Sequence, residues 1–148
     1  PPLPPSVPVE TSVQFKLESS RGTLAGLVAV ALGPEDFALQ ALSPAGLALF
    51  TVQGDTVQAP SESWAAVLER LPFERDLRLI LDWDCATGRC SLPEGGHLRQ
   101  ERLEDTVVRC YRGPQGPARA TLSLGRAELV DPRRGYTLTL VGDAVHVP

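Results

Sequence analysis

Between Val13 and Gln58, short aliphatic runs alternate with turn signals so regularly that an antiparallel meander is the natural reading. Val13, Phe15 and Leu17 alternate with Gln14, Lys16 and Glu18, and further runs follow at Thr23 to Leu32, Phe37 to Leu42 and Leu47 to Gln53. Ser19-Ser20-Arg21-Gly22, Gly33-Pro34-Glu35-Asp36 and Ser43-Pro44-Ala45-Gly46 separate them. Period two sends neighbouring side chains to opposite faces of a strand, and Gly, Pro, Ser and Asp supply the turns. Gly54-Asp55 is one more hairpin signal and leads to a short strand at Thr56 to Gln58.

The period then changes. Ser61 is an N-cap candidate, and Trp64, Val67, Leu68 and Leu71 follow at helical spacing, which predicts an amphipathic helix from Ser61 to Leu71 ending before Pro72. Leu77, Ile80 and Leu81 fit a second helix across Glu74 to Trp83, although the alternation of Leu77, Leu79 and Leu81 equally suits a strand. From His97 the meander resumes, with runs at His97 to Leu103, Thr106 to Arg112, Ala118 to Leu124, Ala127 to Asp131, Tyr136 to Val141 and Ala144 to Val147. About ten or eleven strands exceed what one flat sheet tolerates, so the sheet must curl, split or close. The expected fold is therefore mainly β (α+β): a curled antiparallel sheet or incomplete β-barrel of about ten strands, with the helical insert covering its concave face.

A length of 148 residues suffices for one core without metals or staples. That core must be built from Leu, Val and Ala, because 43% of residues are hydrophobic while aromatics are 5% and Met is absent. Residues 1–10, opening Pro1-Pro2-Leu3-Pro4-Pro5-Ser6-Val7-Pro8, read as an extended linker or tether, and 11–148 as a single domain. The opening looks like the start of a processed chain, with room for a signal segment upstream. A formal charge of −4, a pI near 5.2 and scattered arginines argue against nucleic acid as a partner. No apolar stretch approaches the 18 residues that a membrane-spanning helix requires.

Catalytic and metal signatures are missing. There is no phosphate loop, no G-x-S-x-G elbow, no H-E-x-x-H and no C-x-x-C, so neither an enzymatic activity nor a cofactor is expected. His97 and His146 read as surface or structural imidazoles. Cys85, Cys90 and His97 lack an evident fourth zinc ligand, and Asp82-Trp83-Asp84 departs from a calcium loop at Ala86 and Gly88. Cys85 and Cys90 flank a Gly-containing tip and are expected to form a disulfide, which suggests an exported compartment; Cys110 is left over as a small buried hydrophobe. Arg99, Arg102, Arg109, Arg112 and Arg119 recur along successive strands, so that some can share one outward face toward anionic head groups or pair with nearby acids.

The order of elements resembles the LolA/LolB-like fold of periplasmic lipoprotein carriers and receptors, an incomplete antiparallel barrel with helices over its mouth. The resemblance lies in Gly26-x-Val28-x-Val30-x-Leu32, Asp36-Phe37-Ala38-Leu39, Pro44-Ala45-Gly46-Leu47-Ala48-Leu49-Phe50 and Gly54-Asp55-x-Val57. It continues through Glu69-Arg70-Leu71-Pro72, the leucine-rich stretch ending in Trp83, and Gly135-Tyr136-Thr137-Leu138-Thr139-Leu140. More narrowly, the chain looks like a family of uncharacterised bacterial lipoproteins related to LolB. Where LolB carries a leucine-bearing protrusion at a hairpin, this chain has the tight turn Ser43 to Gly46.

The resemblance implies a periplasmic lipoprotein, held to a membrane through a lipid upstream of the linker. Its partner would be a lipid or acylated molecule, with an envelope protein as a further partner. The apolar cavity is expected to be lined by Val28, Val30, Phe37, Leu39, Leu49, Trp64, Leu68, Leu71 and Trp83. Two alternatives stay open: a structural or protein-interaction module with a filled core, and a hydrolase using carboxylates among Asp82, Asp84, Glu101, Glu104 and Asp105 at the barrel mouth.

Overall fold

The computed structural model describes residues 9–33, 36–54, 56–59, 62–81 and 96–145. Among these residues ten strands form one antiparallel sheet, curled and unclosed: β1 (Val9–Ser19), β2 (Gly22–Leu32), β3 (Phe37–Leu42), β4 (Ala48–Gln53), β5 (Thr56–Gln58), β6 (His97–Leu103), β7 (Thr106–Arg112), β8 (Ala118–Ser123), β9 (Arg126–Asp131) and β10 (Tyr136–Val141). Their spatial order is β5-β4-β3-β2-β1-β10-β9-β8-β7-β6, so the first and last strands pair in the middle and the chain's midpoint supplies both edges. Two short helices, α1 (Glu62–Leu68) and α2 (Phe73–Leu81), bridge those edges.

The pleat sorts the residues as their alternation requires. Val13, Phe15 and Leu17 of β1 are buried while Ser12, Gln14, Lys16 and Glu18 are exposed, and the register Phe15↔Leu140 and Leu17↔Leu138 carries the same face onto β10. Sheet twist, together with a register shift between Ala41 and Leu42 on β3, bends the apolar face inward. Beside that shift β2 has Gly26, where a Cβ would lie 1.9 Å from the Leu42 carbonyl oxygen, so only glycine permits the close approach. The edges remain unpaired with each other. β5 has three residues, and β6 presents His97, Arg99, Gln100, Glu101 and Arg102, which discourages pairing with further chains.

Several boundaries differ from the sequence expectation. β1 begins at Val9, because Val9 and Glu10 pair with Leu32 and Ala31, so the strand takes up the last two residues assigned to the tether. α1 ends at Leu68 rather than Leu71: Arg70 N–H donates to the Val67 carbonyl and Leu71 N–H to the Leu68 carbonyl, tightening the end ahead of Pro72. The ambiguous leucine-rich segment is helical. Glu74 and Asp76 occupy its first turn and Arg78 its last, in the sense that suits the helix dipole, and Glu74 pairs with Arg78 at 3.2 Å. Of the run expected at Ala144 to Val147, Ala144 and Val145 form a turn and its exit, and His146 and Val147 lie outside the described residues.

The core is less aliphatic than the composition suggests. All four phenylalanines are buried, and three form a row in which Phe15 meets Phe50 edge-on at 6.2 Å and Phe50 stacks on Phe73 at 5.4 Å. That row fastens α2 to the sheet.

Candidate functional site

The concave face of the sheet is occupied by α2. Apart from half-buried Glu74, every residue from Phe73 to Leu81 is buried, charged side chains included. Phe73 and Leu77, one turn apart, face Phe15, Leu17, Val28, Leu39, Phe50, Leu138 and Leu140 across a gap of about 10 Å³. One water needs about that much room, so no acyl chain fits into this gap while α2 is in place.

Of the anticipated cavity residues, Val28, Val30, Phe37, Leu39 and Leu68 are buried, and Leu49, Trp64 and Leu71 pack half-buried against the same core. Only Val28 and Leu39 border the gap under α2. Trp83 lies outside the described residues, as do Cys85, Cys90, His146, Asp82 and Asp84. The other seven residues around the gap were visible only as strand alternation or helical spacing. Leu47, immediately after the tight Ser43 to Gly46 turn, is 70% exposed, so this hairpin does present a leucine to solvent.

A charged cluster, unanticipated from the sequence, lies at one end of α2. Arg75, Asp76 and Asp131 are fully buried. Arg75 Nη2 donates to Asp76 Oδ1 at 2.7 Å, to Asp131 Oδ2 at 2.9 Å and to the Tyr136 hydroxyl at 3.1 Å; Nη1 donates to the Gln115 and Gly116 carbonyls. Tyr136 Oη donates in turn to Asp76 Oδ2. Asp131 also accepts the Arg133 and Arg134 amides of the β9–β10 turn and the Arg134 guanidinium at 3.0 Å. The face of Tyr111 lies 5.6 Å from the Arg75 guanidinium carbon. Nothing in the local sequence marks these residues, because Arg75-Asp76 belongs to no motif and Asp131 reads as the end of a strand run before the turn Pro132-Arg133-Arg134-Gly135.

The cluster pulls its two carboxylates in opposite directions. Burial pushes the Asp76 carboxyl up to about 6, and the Arg75 charge with the Tyr136 hydrogen bond only partly counters it. Asp131 is also pushed up by burial, but the Arg134 amide and the Arg75 and Arg134 side chains outweigh that and hold it below the ordinary range. Burial raises the Tyr136 hydroxyl and the Asp76 charge adds to it, so the phenol keeps its proton and remains a donor. Burial works against the Arg75 charge, yet Asp76 and its other partners more than offset it and the guanidinium stays ionised.

Asp76 binds its proton more tightly folded than unfolded, where a free aspartate titrates near ~3.9. Its ionised form therefore costs stability above pH about 6, and that cost disappears as pH falls toward about 4. Urea unfolding across this window should show the protein gaining stability as pH falls, by up to ~2 kcal/mol. Asp76→Asn should flatten the gain. A wild-type profile flat or falling over the same window would contradict the assignment.

The carboxylates proposed for hydrolysis do not converge among the described residues. Glu101, Glu104 and Asp105 are exposed on β6 and its turn, and Glu101 is paired with Arg99. No group of three or more His, Cys, Asp or Glu side chains that could hold a metal occurs among the described residues. No helix among them is long and apolar enough to cross a membrane. Neither a family model nor a curated protein matches the sequence.

Proposed function

We propose that this is a non-enzymatic binding protein of the bacterial envelope, which takes up an acyl chain on the concave face by exchanging it for α2. The observation that carries the reading is an unclosed sheet whose concave face is covered by one short helix: β5 and β6 do not pair, so the wall can spread without breaking a strand ladder. The cover is a nine-residue helix, shorter than the ~12–15 residues that hold helical structure unaided, so its fold depends on the face it occupies.

Counting apolar burial alone, the exchange is close to balanced. Each buried methylene is worth about 0.8 kcal/mol, and an aliphatic or aromatic side chain about 1.5–3, so a chain of ~14 methylenes matches the apolar side chains that α2 withdraws. The buried Arg75–Asp76–Asp131 cluster suits a helix held in one register better than a permanent plug, since apolar packing of similar volume is often as stable as a buried ion cluster. Residence in the periplasm and a lipid tether upstream belong to the same proposal, on the resemblance described above.

The small gap under α2 favours a second reading, a protein-interaction module whose filled interior only supports its outer surface. Lipid extraction from protein made in its own host, with a titration of cis-parinaric acid, separates the two. The acyl reading expects co-purifying acyl species and saturable uptake of the probe. A clean extract with no saturable uptake would leave the interaction module.

A further inference from the structure

We propose that the outer face of β6, β7 and β8 binds a phosphate-type anion, gripped by Arg99, Arg112 and Arg119. The strand register assembles the site. Cys110 of β7 stands directly opposite Arg99 on β6 and Arg119 on β8, and the next outward-facing row pairs Arg112 with His97. These residues, with Glu101 and Val108, line a groove of about 420 Å³. Its floor is well packed, since Val108 is only 6% exposed although it faces away from the core.

Charge makes the groove unusual for this chain. The protein carries a formal −4, yet three arginines converge here, and the single carboxylate among the described lining residues, Glu101, is paired with Arg99 at 2.9 Å. Among the described residues Arg112 and Arg119 have no ion-pair or hydrogen-bond partner, and the position opposite Arg119 on β9 is Val130. Like charges gathered on one sheet face repel. An anion relieves that repulsion, and the guanidinium fork matches tetrahedral phosphate oxygens. The other two arginines of the sequence pattern do not join: Arg109 is buried beneath the sheet, donating to Gln100 and the Leu79 carbonyl, and Arg102 faces the opposite side. The site lies on the opposite face from α2 and stands or falls independently of acyl binding.

A phosphate group can arrive free or on a lipid, and two arms distinguish these sources. In one, inorganic pyrophosphate is titrated calorimetrically at low salt. In the other, phosphatidylcholine vesicles with and without phosphatidic acid are sedimented with the protein. At least one arm should show saturable binding that Arg112→Gln and Arg119→Gln each weaken about tenfold, the usual scale of a lost charge-assisted hydrogen bond. Arg126→Gln, also on an outer face but paired with Glu128, should leave it unchanged. All three positions are exposed, so the variants should keep the wild-type melting temperature. Pyrophosphate binding alone identifies a free phosphate, and a requirement for phosphatidic acid identifies a head group. Absence of binding in both arms, or binding indifferent to Arg112 and Arg119, overturns the proposal, as does equal weakening by Arg126→Gln.

Discussion

Arg75→Met should lower the unfolding free energy at pH 7 by about 4 kcal/mol, the scale expected when one partner of a buried ion pair is removed. The side chain is fully buried and bridges α2 to two separate pieces of the sheet. It pairs with Asp131 of β9 and Tyr136 of β10, and it also satisfies two carbonyls of the β7–β8 turn. Methionine fills comparable volume but leaves Asp76 and Asp131 as buried carboxylates without their shared cation, and leaves those carbonyls short of a donor. The double variant Arg75→Met/Asp76→Leu should recover part of the loss, because it removes one stranded carboxylate together with the cation. Urea midpoints for the three proteins make the comparison. A loss below ~1 kcal/mol in the single variant, or no recovery in the double, would mean that the cluster does not hold α2.

Leu77→Ala should cost about 3 kcal/mol, through lost burial and the cavity left behind. Leu77 is 1% exposed and lies over the gap bordered by Phe15, Val28, Leu39 and Leu140, where rigid aromatic neighbours limit collapse. Leu27→Ala, on the outer face at 46% exposure, is the matched control and should change stability by less than ~0.5 kcal/mol. The same substitution bears on function. If a ligand must displace α2, weakening its hold raises the fraction of binding-competent protein and tightens apparent acyl affinity. An interaction module with a permanent core would lose stability without gaining affinity.

The sheet was legible because its signal is local. The alternation of Val13, Phe15 and Leu17, repeated through Tyr136, Leu138 and Leu140, announces a one-sided strand, and turn residues mark nearly every end. Helix α2 was half legible: Leu77, Ile80 and Leu81 fit the helical period while Leu77, Leu79 and Leu81 fit the strand period, and a helix buried all round carries both patterns at once. What the sequence conceals is burial that depends on distant partners. Arg75 is 56 residues from Asp131 and 61 from Tyr136, and no local pattern distinguishes a charge bound for the core from one bound for solvent. The arginine groove lies between these cases, since alternation places Arg99, Arg112 and Arg119 on outward faces but only the register brings them around Cys110.

Hydrogen exchange across 73–81, with and without saturating cis-parinaric acid, tests the central proposal most directly. If the acyl chain takes the place of α2, exchange in this segment should accelerate on binding while β1, β2 and β10 stay protected. Saturable binding with α2 equally or better protected, or no binding at all, would contradict the exchange of α2 for a ligand.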